Sequence, residues 1–290
     1  METRLSSGTK EVIISNEGPT ILIGERINPT GKKKLQASLL EGNLDIVRQE
    51  AIAQVAAGAE VLDVNVGATG VDEVSLLPQA ILAVQEVTDV PLCIDSSSPR
   101  ALEAALAVYV GRPLVNSVTA NEASLTDVLA LIKARDAAVI GLTMDDKGIP
   151  EEASRRIELA HKIVDRAERM GIKREDVVID CLNMPAAANA AAPLTLLDSI
   201  AAVRSQLGVN MTLGASNISF GLPDRAFLNG TFLGIVIQLG VNCPVVDVAK
   251  VRQYALAADA LLGHDQYMKR FIKDFRRRQK EAKEALEQQR

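Results

Sequence analysis

Two kinds of segment alternate along the chain. Short runs rich in Val, Ile and Leu are separated by longer Ala-rich segments whose apolar residues recur with the spacing of one helix face. The short runs have the β-branched composition of strands. They predict eight strands, at residues 21–28, 60–67, 91–97, 113–119, 137–144, 177–182, 211–219 and 243–248.

The longer segments predict eight helices, and each strand except the first is followed closely by one. Strict alternation with short connections implies parallel strands and right-handed crossovers. Eight such units can close into a TIM (β/α)8 barrel. The predicted helices lie at residues 44–57, 73–87, 99–110, 123–135, 151–170, 194–207, 225–239 and 251–262.

A doubly wound open sheet is the rival architecture. It usually has fewer strands and a Gly-rich first turn, whereas residues 24–31 read Gly-Glu-Arg-Ile-Asn-Pro-Thr-Gly, without the G-x-G-x-x-G pattern. A length of 290 residues also suits one α/β barrel. We therefore expect a single-domain α/β barrel over residues 21–265, preceded by an extension at 1–20 and followed by a charged helix at 266–290.

The charged tail has two interpretations. Its basic residues are concentrated in the first half, so it could be a patch for an acidic partner. The interpretation that we favour is a solvated terminal helix held by i,i+4 ion pairs, which is the more common case. The basic residues are Lys269, Arg270, Lys273, Arg276, Arg277 and Arg278.

Composition narrows the class of protein. The chain is 48% hydrophobic but only 3% aromatic and has no Trp, so its core should be aliphatic. A net charge of −5 gives no electrostatic footprint for nucleic acid. No apolar window is long enough for a membrane span, and residues 1–10 lack the apolar stretch of a signal peptide. With three isolated cysteines, Cys93, Cys181 and Cys243, this predicts a cytoplasmic protein with buried free thiols.

Four predicted strands end on a short polar side chain. Asp95 follows Leu-Cys-Ile, Asn116 follows Pro-Leu-Val, Asp180 follows Val-Val-Ile, and Asn217 closes the run from residue 212. In a parallel barrel the carboxyl ends of the strands form the mouth at which chemistry is placed. Carboxylate and amide groups can pair bidentately with the edge of a fused, nitrogen-rich ring such as a pterin.

Asp95 and Asn116 also have structural interpretations, whereas the surroundings of Asp180 and Asn217 point to a partner. The serines after Asp95 can cap the next helix, and Asp95 itself could bond loop amides. Asn116 could link two loops. A carboxylate such as Asp180 at the end of an apolar strand is costly unless it is paired. Small residues flank Asn217, as though a ligand approaches the backbone there.

Further polar candidates surround these four. Asp63 and Asn65 share one face of the second strand by its period of two, so they form either a structural pair near the mouth or part of the same polar cup. Ser216 and Arg225 complete the set of candidate binding residues.

Several kinds of site find no support. The two histidines, His161 and His264, lie away from the strand ends, which argues against a zinc site or His-based acid–base chemistry. The G-x-S-x-G and Walker motifs are absent. We therefore expect no bound metal.

Seven short motifs, taken together and in order, carry a family resemblance. The chain resembles the methyltetrahydrofolate:corrinoid-protein methyltransferases from about residue 21 to 275. The motifs are Gly-Glu-Arg-Ile-Asn at 24–28, Leu-Asp-Val-Asn-Val-Gly at 62–67, Cys-Ile-Asp-Ser at 93–96, Val-Asn-Ser at 115–117, Ile-Gly-Leu-Thr-Met at 140–144, Ile-Asp at 179–180 and Ser-Asn-Ile-Ser at 216–219.

This resemblance implies a TIM barrel, usually homodimeric, that binds the pterin through Asp95, Asn116 and Asp180. Asn217 would reach N5 of the folate. The implied substrate is tetrahydrofolate or methyltetrahydrofolate, and the methyl group is exchanged with the cobalt of a corrinoid (cobalamin) carried by a separate protein, in a demethylase system or in one-carbon metabolism. Phe220 stands where the acetogen enzyme of the family has an amide and is closer to the methionine synthase pattern, which leaves the corrinoid partner open. The sequence also leaves open the methyl donor and the direction of transfer.

Three alternatives remain. Dihydropteroate synthase carries a Lys after strand seven and Arg-x-His near strand eight, but residues 217–220 and 247–250 read Asn-Ile-Ser-Phe and Asp-Val-Ala-Lys, which disfavours that branch. A barrel aldolase or phosphate-binding isomerase would need a Schiff-base Lys and a Gly-rich phosphate loop, and neither is evident. The third alternative is a folate-binding scaffold without catalytic activity. Such a protein would bind folate but would not transfer the methyl group to free cob(I)alamin.

Overall fold

The computed structural model describes residues 1–288 and begins with an antiparallel hairpin, β1 (Glu2–Ser6) and β2 (Glu11–Ser15). Hairpin residues Leu5 and Ile14 are fully buried and pack against apolar side chains inside the barrel, including Val61. Asn210 donates a hydrogen bond to the Ile14 carbonyl oxygen at 3.1 Å. The hairpin thus closes the amino end of the barrel, a role that the alternation within residues 1–20 did not reveal.

Eight parallel strands follow and confirm the predicted barrel. Their order in the sheet is β10-β3-β4-β5-β6-β7-β8-β9, and a parallel bridge between Gly214 and Val245 joins the two end strands. The strands are β3 (Ile23–Ile27), β4 (Val61–Asn65), β5 (Leu92–Asp95), β6 (Leu114–Thr119), β7 (Ala138–Leu142), β8 (Val177–Asp180), β9 (Met211–Thr212) and β10 (Val245–Val246).

The helices surround this sheet, and eight of them match the predicted positions within a few residues. One short helix before α2 was not predicted. The helices are α1 (Lys33–Leu40), α2 (Asp45–Ala57), α3 (Glu73–Val87), α4 (Pro99–Val108), α5 (Glu122–Arg135), α6 (Ala153–Arg169), α7 (Ala192–Gln206), α8 (Arg225–Leu239), α9 (Val248–Leu262) and α10 (Lys269–Gln288).

The last two barrel strands are much shorter than predicted. A 3-10 turn, Ala215–Ser219, replaces the second half of the seventh predicted strand, so the expectation that Asn217 closes a strand is wrong. The Asn217 N–H bonds the Gly214 carbonyl at 3.2 Å, which bends the chain across the mouth. At the eighth strand, α9 begins at Val248, three residues earlier than predicted.

The core has two layers separated by the sheet. Leu62 and Val64 of β4 point outward to the helices, whereas Val61 points into the barrel. Because side chains alternate along a strand, Asp63 shares the inward face with Val61. The barrel interior is therefore apolar at its amino end and polar at its carboxyl end. Within residues 1–288 no helix has the length and hydropathy needed to cross a membrane.

Candidate functional site

A cavity of about 700 Å³ opens at the carboxyl ends of the strands. Seven of the eight predicted binding residues lie in its wall, drawn from strands β4, β5, β6 and β8, from the turn after β9 and from the start of α8. These seven are Asp63, Asp95, Asn116, Asp180, Ser216, Asn217 and Arg225.

Two carboxyl groups on adjacent strands form one side of the cavity. Asn116 donates a hydrogen bond to Asp63 Oδ1 at 3.3 Å. Burial, followed by the charge of Asp95, raises the pKa of Asp63 well above its usual value. Burial raises the pKa of Asp95 to about 6, opposed chiefly by a hydrogen bond from Asn65. Since close carboxylates resist ionising together, Asp95 is the more readily ionised of the two and the raised pKa of Asp63 favours its protonated form.

Asp180 lies at the end of β8. Its Oδ1 accepts the Leu182 N–H at 2.6 Å, in a turn where Leu182 has a φ of 60°. Burial raises the pKa of Asp180 to about 7, although the Leu182 N–H and the Arg156 charge both lower it. Near neutral pH this carboxyl group is therefore divided between its two protonation states.

Arg156 of α6 holds the turn that follows Asp180. The residue is only 2% exposed. Its guanidinium donates to the carbonyl oxygens of Pro150 at 2.8 Å, Cys181 at 2.8 Å and Leu182 at 2.9 Å. A fork of this kind fixes the backbone and supplies a positive charge behind the carboxylate.

Asn217 lies in the 3-10 turn on another side of the mouth. A Cβ at Gly214 would sit 3.0 Å from Asn217 Nδ2, so glycine leaves room for this amide. Asn183 supports the turn by donating to the carbonyl oxygens of Gly214 at 3.2 Å and Ala215 at 3.3 Å. Within residues 1–288 the Asn217 side chain forms no hydrogen bond, so its amide is available to a ligand.

The comparisons with known proteins assign the family. The sequence profile described as pterin binding enzyme matches residues 24–247. The chain belongs to this family. It is 31% identical over 264 residues to the methylcorrinoid:tetrahydrofolate methyltransferase of Eubacterium limosum, covering 88% of this chain and 96% of that protein. The predicted membership of the folate–corrinoid methyltransferases, and hence of the methyltransferase class, is confirmed.

A second relative is the methionine synthase of Mycobacterium leprae, 27% identical over 263 residues. The match covers 86% of this chain but only 22% of that much longer protein. Solved structures add the fold alone. A Yersinia pestis DHPS structure with a pterine-sulfa conjugate has a TM-score of 0.70 at 17% identity, covering 91% of this chain and 99% of that one. The 7,8-dihydropteroate synthase of Vibrio fischeri has a TM-score of 0.69 at 16% identity, covering 90% and 98%.

Two predicted residues have supporting positions in this family member. Asn65 is outside the cavity wall; its Oδ1 accepts the Gly67 N–H at 2.7 Å, and its side chain bonds Asp95. Arg225 is in the wall, but its guanidinium donates to Ser219 Oγ at 3.0 Å and to the Ser216 carbonyl at 3.1 Å, and it stacks over Phe220. Both side chains brace other parts of the site.

Five charged residues of the wall were not predicted as site residues: Glu25 and Arg26 within β3, Lys32 after it, Asp247 just after β10, and Lys250 near the start of α9. Glu25 belongs to the Gly-Glu-Arg-Ile-Asn motif, in which two adjacent charged residues interrupt an apolar strand. That interruption could have marked Glu25 as a candidate site residue. Among residues 1–288 there is no group of three His, Cys, Asp or Glu side chains arranged to hold a metal ion.

Proposed function

We propose that this enzyme transfers a methyl group between N5 of methyltetrahydrofolate and the cobalt of a corrinoid carried by a separate protein. The observation that carries the proposal is the composition of one cavity: an ionisable Asp95 and Asp180, the Asn116 amide, and the uncommitted Asn217 amide. The methylcorrinoid:tetrahydrofolate methyltransferase relative supports the same pair of substrates.

Asp95, Asn116 and Asp180 hold the pterin in this proposal. A carboxylate accepts two hydrogen bonds from the amino group and ring N–H of an aminopyrimidine, which are donors side by side. The amide of Asn116 can donate and accept along the same edge. Their task is positioning, which keeps N5 and its methyl group directed toward the open mouth.

Asn217 assists the departure of N5. The reduced cobalt attacks the methyl carbon in line, the carbon–nitrogen bond breaks, and its electron pair stays on N5. A hydrogen bond from the Asn217 amide strengthens as that nitrogen gains electron density, and it contributes about 2 to 4 kcal/mol if it resembles an oxyanion-hole donor. An amide is not an acid, so the proton that N5 finally receives has another source.

The partner protein, the metabolic context and the cellular compartment are further parts of this proposal. A mouth without a large lid would admit the corrinoid face of a partner protein, as part of a demethylase system or one-carbon metabolism. The buried, unpaired Cys93, Cys181 and Cys243 suit the reducing cytoplasm in which a Co(I) corrinoid persists.

Anaerobic mixing of the isolated chain with methyltetrahydrofolate and free cob(I)alamin tests the function. We expect the Co(I) absorbance to give way to that of methylcobalamin, and folate to bind without added metal. A chain that binds folate but forms no methylcobalamin would instead be a scaffold. Formation of dihydropteroate would indicate the activity of the structural neighbours, although residues 217–220 and 247–250 lack the pattern of that branch.

Replacing Asp180 with Asn should weaken methyltetrahydrofolate binding by about 1 to 3 kcal/mol, the contribution of a charge-assisted hydrogen bond. Asp95→Asn should behave similarly. Because the pterin requires the ionised carboxylate while the pKa of free Asp180 is about 7, wild-type affinity should fall as pH drops below 7. Calorimetry near pH 6 in buffers of different ionisation enthalpy should detect release of about 1.4 protons on binding, about 0.9 from Asp180 and about 0.5 from Asp95.

The matched control is the same titration on the Asp180→Asn protein, whose proton release should be much smaller. Free-protein stability should have the opposite pH dependence. A carboxyl group whose folded-state pKa is raised stabilises the fold below its ordinary pKa, and this contribution is lost as pH rises through about 7. Unchanged folate affinity in both variants would remove the two aspartates from the pterin site.

We also propose a homodimer, with α7 and α8 at the interface. An open hollow between these helices is lined mainly by apolar side chains such as Leu197 and Ile235, and Leu194 and Ile235 are 66% and 45% exposed. Light scattering should give twice the chain mass of 31.0 kDa. Ile235→Glu should shift the mass to the monomer, whereas Leu82→Glu, at an exposed position on α3, should not; a wild-type monomer at micromolar concentration would contradict the proposal.

A further inference from the structure

Glu25 is a carboxyl group in the cavity wall that the proposed pterin contacts leave unused. It is the middle residue of β3, and its Oε1 lies 2.7 Å from the Ser216 hydroxyl oxygen. Ser216 is only 8% exposed and directly precedes Asn217. This hydrogen bond ties β3 to the turn that carries Asn217, so the carboxyl group adjoins the proposed contact with N5.

The surroundings of Glu25 favour its protonated form. Burial is the main cause that raises the pKa of Glu25, and the charge of Asp247 raises it further; the Ser216 hydroxyl, Lys32 and Arg225 lower it. The two cations are engaged elsewhere. Lys32 Nζ donates to the Arg26 carbonyl at 2.8 Å, and Arg225 donates to the turn. Neither forms an ion pair with Glu25 within the described part of the chain.

The other charged side chains near Glu25 lie on its own strand β3, on β4 and at the start of α9. Within its own strand Arg26 is paired with Glu50 of α2 at 3.0 Å, and burial raises the pKa of Asp63 of β4, which favours its neutral form. Asp247 is paired with Lys250 at 2.8 Å. No neighbour therefore neutralises Glu25 directly, and its carboxyl group can hold a proton at a pH where an exposed glutamate is ionised.

Methyl transfer from folate requires such a proton. N5 is a poor leaving group as an anion, the Asn217 amide cannot supply a proton, and Asp95 and Asp180 are occupied at the pterin edge in the proposed function. A positioned acid near N5 would lower the barrier by protonating the nitrogen as the bond breaks.

Building on the proposed function, we propose that Glu25 is the general acid that protonates N5. As the methyl carbon bonds to cobalt, the carbon–nitrogen electron pair remains on N5, the Glu25 proton forms the new N–H bond, and Glu25 becomes a carboxylate that bulk solvent reprotonates. In the reverse direction the Glu25 carboxylate removes the N5 proton while N5 attacks the methyl group. Ser216 orients the carboxyl group through the 2.7 Å hydrogen bond.

The test is single-turnover stopped-flow kinetics with saturating methyltetrahydrofolate and free cob(I)alamin. Glu25→Gln keeps the size of the side chain and a partner for Ser216 but has no proton to donate. We expect the transfer rate to fall by about 10² to 10³, with folate affinity changed by less than about threefold. The wild-type rate should decline as pH rises through the titration of Glu25, and the Gln variant should lack that decline. Glu103→Gln, at an exposed position on α4 outside the cavity, is the matched control.

Each other outcome is decisive. A Glu25→Gln rate within about threefold of an active wild type overturns the role of Glu25 and leaves the proposed function intact. An inactive wild type with bound folate refutes the proposed function itself. If Glu25→Gln fails to bind folate, Glu25→Asp is measured instead. A transfer rate that still declines with rising pH, but with a displaced midpoint, supports Glu25 as the general acid. A rate that is independent of pH in both the wild type and Glu25→Asp rejects that role.

Discussion

Asn217→Ala should lower the rate of methyl transfer by about 10² to 10³, the usual loss on removal of one preorganised donor. The loss of folate affinity should be much smaller, because Asp95, Asn116 and Asp180 still hold the pterin edge. An interaction that matters mainly when N5 gains electron density lowers the rate constant more than it lowers ground-state binding. Stopped-flow turnover with methyltetrahydrofolate and cob(I)alamin measures the first quantity, and calorimetry the second.

A suitable control is Asn43→Ala, an asparagine in the loop before α2 whose side chain bonds the Asp45 N–H. Its transfer rate should match the wild type. A near-normal single-turnover rate in Asn217→Ala would reduce this amide to a ring contact. A separate experiment compares the double variant Glu25→Gln, Asn217→Ala with the two single variants. Rate losses that are not additive would show that the two residues act on one step.

Arg156→Met should have the largest effect on stability. The substitution keeps a long side chain but leaves without their donor the buried carbonyl oxygen of Cys181 and the partly buried ones of Pro150 and Leu182. Since each unsatisfied group costs about 1 to 3 kcal/mol, we expect the free energy of unfolding to fall by about 3 kcal/mol or more. Denaturant titration at pH 7 is the measurement.

The same variant should change the chemistry of the cavity. Without the Arg156 charge, the pKa of Asp180 should rise further above about 7, so the pH below which folate binding weakens should move upward. Arg156→Lys retains the charge and at least one donor, so it should shift that pH little and lose less stability. An Arg156→Met protein with wild-type stability would show that solvent replaces the guanidinium.

Periodicity along the chain predicted the barrel because its central strands obey a local rule. Runs such as Leu92–Asp95 and Val177–Asp180 are uniformly apolar until the polar residue at the mouth, and each is followed by an amphipathic helix. The hairpin of residues 2–15 escaped prediction because its burial depends on covering the barrel end. That contact is invisible to local periodicity.

The site was predictable where a polar residue interrupts an apolar strand, as at Asp95, Asn116 and Asp180. The conformation of residues 215–219 was not, because the segment directly continues the run of the seventh strand, whereas Asn183, about 30 residues away in sequence, holds a 3-10 turn there through bonds to the Gly214 and Ala215 carbonyl oxygens. Glu25 was overlooked because its significance depends on Ser216, a neighbour about 190 residues away in sequence.

The most direct test of methyl transfer follows the methyl carbon itself. Methyltetrahydrofolate labelled with ¹³C at the N5 methyl group is mixed anaerobically with cob(I)alamin and the wild-type chain, and the NMR signal of the label is recorded. We predict stoichiometric loss of the N-methyl signal and growth of a cobalt-bound methyl signal, much faster than without protein and much slower with Asn217→Ala. A label that stays on N5 in the presence of folded, folate-bound protein would contradict the account.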